Sequence, residues 1–405
     1  MKHPVRSSLI VPALAVAALS TALTGSGRAG TEAAPAATAA GKNVLAEPAV
    51  EASTMDKIWG LATLYKSDDG FLNELSLTGR YQGQFWNADA EDGDDNDWEN
   101  RRFRLGTRAF FLDRSLELKA EMFSDLNSGG DFYEGLTEAY VAWHASDAFN
   151  LTLGKQKPKI GWEWTLSSRL IPTLERSALT NQFRPDYGAA AVIDGKVDKW
   201  SYYTGVFSND TVGDGDDTTE FGDFEGGWSY IASVGYDLSE SFGLKKAQWR
   251  LDYIHSEHDE SDEIFTAFEN GVSTSLELKE GSWGMVTEVL LGDGDATNLG
   301  LVLLPSYDIT KKLQVVGRYQ LGVSDEDTGL SAQRRYERAV GGAGGDLYNA
   351  IYLGLNYFLF DGKDVEKKPD QKHRLKLMGG VEYANMDGPQ GYDGWTAMAG
   401  VRVFW

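Results

Sequence analysis

From residue 73 to its end the chain alternates apolar and polar residues, and no other period replaces this one. Over residues 75–85, Leu75, Leu77, Gly79, Tyr81, Gly83 and Phe85 alternate with Ser76, Thr78, Arg80, Gln82 and Gln84. Over 102–111, Phe103, Leu105, Ala109 and Phe111 oppose Arg102, Arg104 and Arg108. A period of two is that of a strand with one apolar and one polar face. Segments of this kind recur near 115–123, 135–144, 149–156, 188–197, 200–208, 228–238, 247–256, 270–279, 282–292, 299–308, 313–323, 347–358, 373–385 and 395–405. With the first two they make about sixteen, and the even number is that of bacterial outer-membrane barrels.

The links between segments sort by length. DRS, ASDA, DK, EG and ITKK are short, whereas 87–97, 157–186, 209–226, 257–269 and 324–346 are long. Short turns at one end and long loops at the other predict an all-β, transmembrane antiparallel barrel. Aromatics cluster at the segment ends, with Trp143, Phe149, Trp200, Trp249, Trp283 and Tyr307 toward the short turns. Phe85, Tyr187, Tyr230, Tyr253, Tyr319 and Tyr383 sit toward the long loops, completing two expected interfacial girdles. A soluble β-sandwich also alternates, but it needs neither paired girdles nor this division of loops.

The N-terminus reads as an export signal. Lys2, His3 and Arg6 precede an apolar run at 9–23, and small residues follow to about Ala29. The domain reading is therefore a signal peptide at 1–29, a flexible periplasmic lead with a short pre-barrel segment at 30–70, and a barrel at 71–405. The chain has no cysteine, which removes disulfides and thiol chemistry. No G-x-S-x-G, H-E-x-x-H or Gly-rich phosphate loop is present, so neither an enzyme nor a bound cofactor is expected. The net charge of −23 argues against nucleic acid.

Two basic features stand out against that acidic total. Arg80, Arg102, Arg104 and Arg108 fall on the polar face of the first hairpin, about 7 Å apart where two residues separate them. They read either as a path for anions or as partners that neutralise Glu74, Glu117 and Glu121. The segment 154–186, GKQKPKIGWEWTLSSRLIPTLERSALTNQFRPD, is too long for a hairpin turn. It combines Lys155, Lys157, Lys159, Arg169, Arg176 and Arg184 with Trp162, Trp164 and Glu175. Such a loop either folds back to narrow the lumen or packs over the rim. In contrast, 87–97 carries six acids and 209–226 seven, with no base in either; only 331–338, SAQRRYER, is a basic patch at the mouth. The acidic loops suit solvent, or divalent bridges to lipopolysaccharide.

LTGRYQGQFW at 77–86, WENRRFRLG at 98–106 and LTLGKQKPKIGWEWTLSSRLIPTLERSAL at 151–179 resemble the phosphate-selective porin O and P family. The resemblance implies a sixteen-stranded, trimeric outer-membrane channel whose third loop folds inward, with basic side chains guiding anions. It carries Arg101, Arg102 and Arg104 over as the arginine strand, and Lys157, Ser167, Ser168, Glu175 and Arg176 as the loop motif. The expected function is passive diffusion of small hydrophilic solutes or ions, with anions such as phosphate among the candidates. The alternative is a structural or adhesive barrel with a plugged lumen. The closing Phe404 and Trp405 resemble the terminal signal read by the barrel-assembly machinery, and the expected surroundings are outer-membrane lipid and lipopolysaccharide.

Overall fold

In the computed structural model, the described residues are 53–405 apart from 210–220, 222–223, 225, 258–265, 364 and 366–367. The signal segment, most of the lead and most of the loops at 209–226 and 257–269 lie outside them. Sixteen strands form the barrel: β1 (Leu72–Ala90), β2 (Gly93–Phe111), β3 (Leu116–Ser124), β4 (Gly135–Ser146), β5 (Phe149–Gln156), β6 (Gly188–Val197), β7 (Trp200–Ser208) and β8 (Trp228–Asp237). The second half comprises β9 (Lys246–Ser256), β10 (Asn270–Glu280), β11 (Trp283–Asp293), β12 (Thr297–Asp308), β13 (Leu313–Ser324), β14 (Leu347–Phe358), β15 (Leu375–Asp387) and β16 (Tyr392–Phe404). Each pairs antiparallel with the next, and β16 returns to β1 from Gly394 opposite Ala90 to Phe404 opposite Arg80. No barrel edge is left open along this seam, as a bilayer requires.

The alternation sorts as expected. Leu118, Leu153, Val289, Leu353, Leu377 and Val381 are exposed on the outer wall. Their neighbours Glu117, Glu288, Lys376 and Glu382 are buried inside. Exposed Trp143, Trp200, Trp283 and Tyr307 ring the short-turn end; Phe85, Tyr230 and Tyr253 ring the other. Tyr187 is an exception: its hydroxyl meets Arg104 Nη1 at 3.0 Å inside the barrel.

The stretch 87–97 is not a loop. Asn87 pairs with Asn96, Ala88 with Asp95 and Ala90 with Gly93, leaving Glu91 and Asp92 as the turn. The ladder satisfies these backbone groups without an apolar face, so aspartates do not end the strand. On its inner side Trp86 and Ala88 are buried in the same cluster as Tyr336 and Val340.

Ahead of the barrel, α1 (Thr54–Gly60) starts with a capping box between Ser53 and Asp56. A short strand, Thr63–Lys66, then pairs with Glu74, Leu75 and Ser76, where β1 runs beyond the end of β16. The Trp59 indole donates to the Phe404 carbonyl at 2.6 Å. The segment just before the barrel thus covers the one stretch of β1 that closure leaves unpaired.

Candidate functional site

Residues 157–186 lie among inward-facing side chains drawn from most of the wall. Arg80 donates to Ser168 Oγ at 2.7 Å and Gln82 to the Ser168 carbonyl at 2.8 Å. Asp252 accepts the Gly161 amide at 2.9 Å, and Glu288 accepts that of Trp162 at 2.6 Å. Asn356, Lys376, Arg402 and Arg318 donate to the carbonyls of Pro172, Ile171, Leu174 and Glu175 at 2.7–2.9 Å. A segment with little regular structure has unpaired carbonyls, and these wall donors satisfy them.

Two short helices give the segment its shape, α2 (Trp162–Thr165) and α3 (Ala178–Phe183). Ser177 caps α3 by accepting the Thr180 amide at 2.9 Å. Glu163, fully buried, accepts from the Ser177 amide at 2.9 Å and Thr180 Oγ1 at 2.8 Å, tying one helix to the other. Leu174, Ala178, Leu179 and Phe183 then pack with Leu290, Val302, Tyr348, Tyr352, Met378 and Met398 of the wall. This apolar body packs against the inner face of β11–β16.

Toward β2–β4 several charged side chains stay partly exposed. Side-chain exposure is 12% at Arg104, 14% at Lys119, 18% at Glu138, 21% at Arg169 and 44% at Arg108. Arg80 is buried and committed, holding Glu121 through Nη2 at 2.8 and 3.0 Å. Arg104 at 3.3 Å and Arg169 at 3.5 Å approach the same carboxylate, so three guanidinium groups meet one acid. Arg108 makes a two-point bond to Glu117, 2.8 Å for each nitrogen. Glu74 makes its salt bridge with Arg114 at 2.8 Å rather than with this arginine set.

Strict alternation turns Arg101 toward lipid. The pairing of β1 and β2 slips between Gln82 and Gly83, from Gln82 opposite Arg102 to Gly83 opposite Asn100. Arg101 is the extra residue of this bulge, which turns it inward together with Arg102. Its Nε meets Glu175 at 2.5 Å, while Arg102 donates to Gln82 at 2.7 Å. For Glu175, burial acts to raise the carboxyl pKa, yet Arg101, Arg102 and Arg335 hold it well below the ordinary range.

Trp164 is buried beneath three cations: Lys157 Nζ lies 4.2 Å, Arg184 4.4 Å and Arg176 4.9 Å from its ring centre. Each such contact contributes about 0.5–2 kcal/mol. Lys157 also donates to the Leu166 carbonyl at 3.1 Å. Burial first, then Arg176, Arg104 and Arg80, hold its ammonium pKa well below the usual lysine range. Trp162 donates to Glu277 at 2.8 Å, away from the arginines. Lys155 is buried near the end of β5, and Lys159 lines a 290 Å³ hollow on the short-turn side with Asp194, Lys196 and Arg250.

Above the loop, a 470 Å³ vestibule is lined by Arg101, Arg184, Arg334, Arg335 and Arg338, with Asp186 the acid among its lining residues. The basic patch at 331–338 therefore faces inward, and Arg335 pairs with Glu99. Its spacing held the missed signal: Gln333, Tyr336, Glu337 and Val340, at i, i+3, i+4 and i+7, are the buried face. Phe404 also points inward, its ring 5.3 Å from Arg169, rather than joining the lipid girdle. Among the described residues, no group of acids and histidines is placed to hold a metal.

The family model for phosphate-selective porin O and P matches residues 75–266. No curated protein matches the chain in sequence. Among solved structures, the chain is similar to the outer-membrane channel DcaP of Acinetobacter baumannii, with 14% identity, 84% of this chain and 99% of that one covered, and a TM-score of 0.52. It is also similar to OprB of Pseudomonas putida (10% identity, 82% and 94% covered, TM-score 0.57). Salmonella typhi OmpF in complex with daunomycin gives 12% identity, 85% and 100% covered, and a TM-score of 0.58. At these identities the likeness concerns the fold.

Proposed function

We propose that this chain, whose residues 75–266 match the family model for phosphate-selective porin O and P, is a bacterial outer-membrane porin whose passive diffusion path favours small anions. Fold and family point to a channel rather than an enzyme. The observation that carries the anion reading is the imbalance around Glu121. Arg80, Arg104 and Arg169 share that one carboxylate. The arginine-lined vestibule above supports the same sign. In a narrow, low-dielectric passage such charges are screened less than those at the mouth, where fields decay over about 8 Å at physiological salt.

Residues 157–186 are proposed as the constriction. The apolar body around Leu174 and Leu179 obstructs the β11–β16 side and leaves the route along β2–β5. A homotrimer is the proposed assembly; a lipid-side hollow of Gly379, Ala397 and Ala399 between Phe85, Leu353 and Val381 supports it. Planar bilayers under a KCl gradient test the reading. Stable conductance steps and a reversal potential of anion-selective sign are expected. Cation preference, unchanged when Arg104 and Arg169 are substituted, overturns it.

A further inference from the structure

The arginines of the vestibule stand on a segment whose opposite face is anchored by a carboxyl with no cation of its own. Glu337 is fully buried; Oε1 accepts from the Tyr348 hydroxyl at 2.7 Å and Oε2 from the Gln333 amide at 2.6 Å. Both partners are neutral. Its neighbour Tyr336 donates to Glu382 at 2.9 Å, and Val340 packs on the inner side of the β1–β2 hairpin with Trp86 and Ala88. The Gln333 amide group reaches the Arg176 carbonyl at 3.0 Å, joining the segment to the 157–186 loop.

The charged and titratable groups around Glu337 come from every neighbouring strand. Tyr348 faces it from β14, Glu382 from β15, Tyr392 from β16 and Arg318 from β13. Arg318 is the cation of this network, and it is already engaged by Glu382 at 2.6 Å and Glu163 at 3.4 Å. Three carboxyls thus share one guanidinium, and Glu337 is the one without an ion pair.

We infer that Glu337 is a positioning residue, whose buried carboxyl holds segment 331–340 to the wall and so sets the positive charge of the outer vestibule. Arg334, Arg335 and Arg338 project from the far side of the same turn, and Arg335 is the one of them fixed to the wall by a salt bridge, to Glu99. Burial, then the neighbouring Glu382 carboxylate, push the Glu337 carboxyl up to about 8. Ionisation places an uncompensated anion beside the Arg318-paired Glu382 carboxylate and favours release of the segment. The arginines then leave their fixed places, and the vestibule loses positive charge at moderately alkaline pH.

This inference rests on the anion reading, and two readouts separate them. Purified full-length protein is compared with E337Q, which keeps the shape and an acceptor oxygen but cannot ionise. In bilayers between about pH 6.5 and pH 9.5, the wild-type anion-to-cation permeability ratio is expected to fall at least about twofold, and that of E337Q to stay nearly level. Any change at Lys157 is common to both proteins, so the difference between them is the signal. Trypsin cleavage after Arg334, Arg335 or Arg338, normalised to a free peptide, should rise with pH in wild type and not in E337Q. Parallel cleavage profiles in the two proteins overturn the inference whatever the ion preference. If cleavage diverges but neither protein prefers anions at low pH, the positioning role stands and the anion reading fails.

Discussion

Arg80 and Arg104 sit directly opposite each other on adjacent strands, and both reach the fully buried Glu121 of β3. Two cations in register repel, and the carboxylate that joins them is what lets them share one level of the lumen. Arg169 adds a third guanidinium from the loop. Conduction and wall cohesion therefore meet at one acid.

Glu121→Gln tests that relationship. Removing one partner of a buried ion pair costs about 3–5 kcal/mol, so the temperature at which the barrel unfolds in detergent should drop. The same change frees positive charge, so the reversal potential should move further toward anions. A shift toward cations would contradict the account.

Arg102→Ala with Arg104→Ala should move reversal potentials toward cations, by more than neutralising the acids of 209–226 moves them toward anions. Mouth charges act through screened solvent, whereas Arg104 contacts the passage directly. An acidic-loop variant with the larger effect would show that the mouth governs selectivity.

Trp164→Leu removes the surface on which Lys157, Arg176 and Arg184 rest. At about 0.5–2 kcal/mol for each contact, the loop should loosen without the barrel unfolding. Single-channel records should show more frequent substates while the unfolding temperature changes little. Quiet records identical to wild type would mean the stacking is incidental.

Glu175 predicts an acid-side loss of stability. Its pKa is held below its ordinary 4.5, so its contribution is complete above that value and declines as pH falls from there toward the lower folded value. Unfolding temperature should fall with acidification in wild type and fall less in Glu175→Gln. Equal slopes would remove Glu175 as the source.

Deleting Phe404 and Trp405 should lower outer-membrane yield and leave aggregated periplasmic chain. Trp405 exchanges backbone hydrogen bonds with Gly79, at 3.2 and 3.3 Å, and its ring lies where a side chain at Gly79 would stand. Gly79→Leu should therefore weaken insertion too. Normal yields from both would show that closure does not depend on this contact.

The strands were legible because burial on one face repeats every second residue. The segments at 149–156, 188–197, 200–208 and 347–358 coincide with β5, β6, β7 and β14. The outer end of the first hairpin was not, since Asp and Asn at 87–97 carry turn composition while a backbone ladder needs no particular side chain. Arg101 escaped because a bulge changes parity without leaving a mark on the period. The family resemblance, which compares residues rather than faces, did include it. Segment 331–340 was read by its charge, although the spacing of Gln333, Tyr336, Glu337 and Val340 also recorded a buried side.

The bond from the Trp59 indole to the Phe404 carbonyl brings the chain just ahead of the barrel to within 2.6 Å of its end. Separated by 345 positions, these residues are brought together where β16 closes onto β1. Fluorescence from Trp59 therefore offers a signal for completion rather than for collapse: a half-built sheet cannot produce it. A lesion in any one strand should leave that signal missing even where the rest of the sheet has formed.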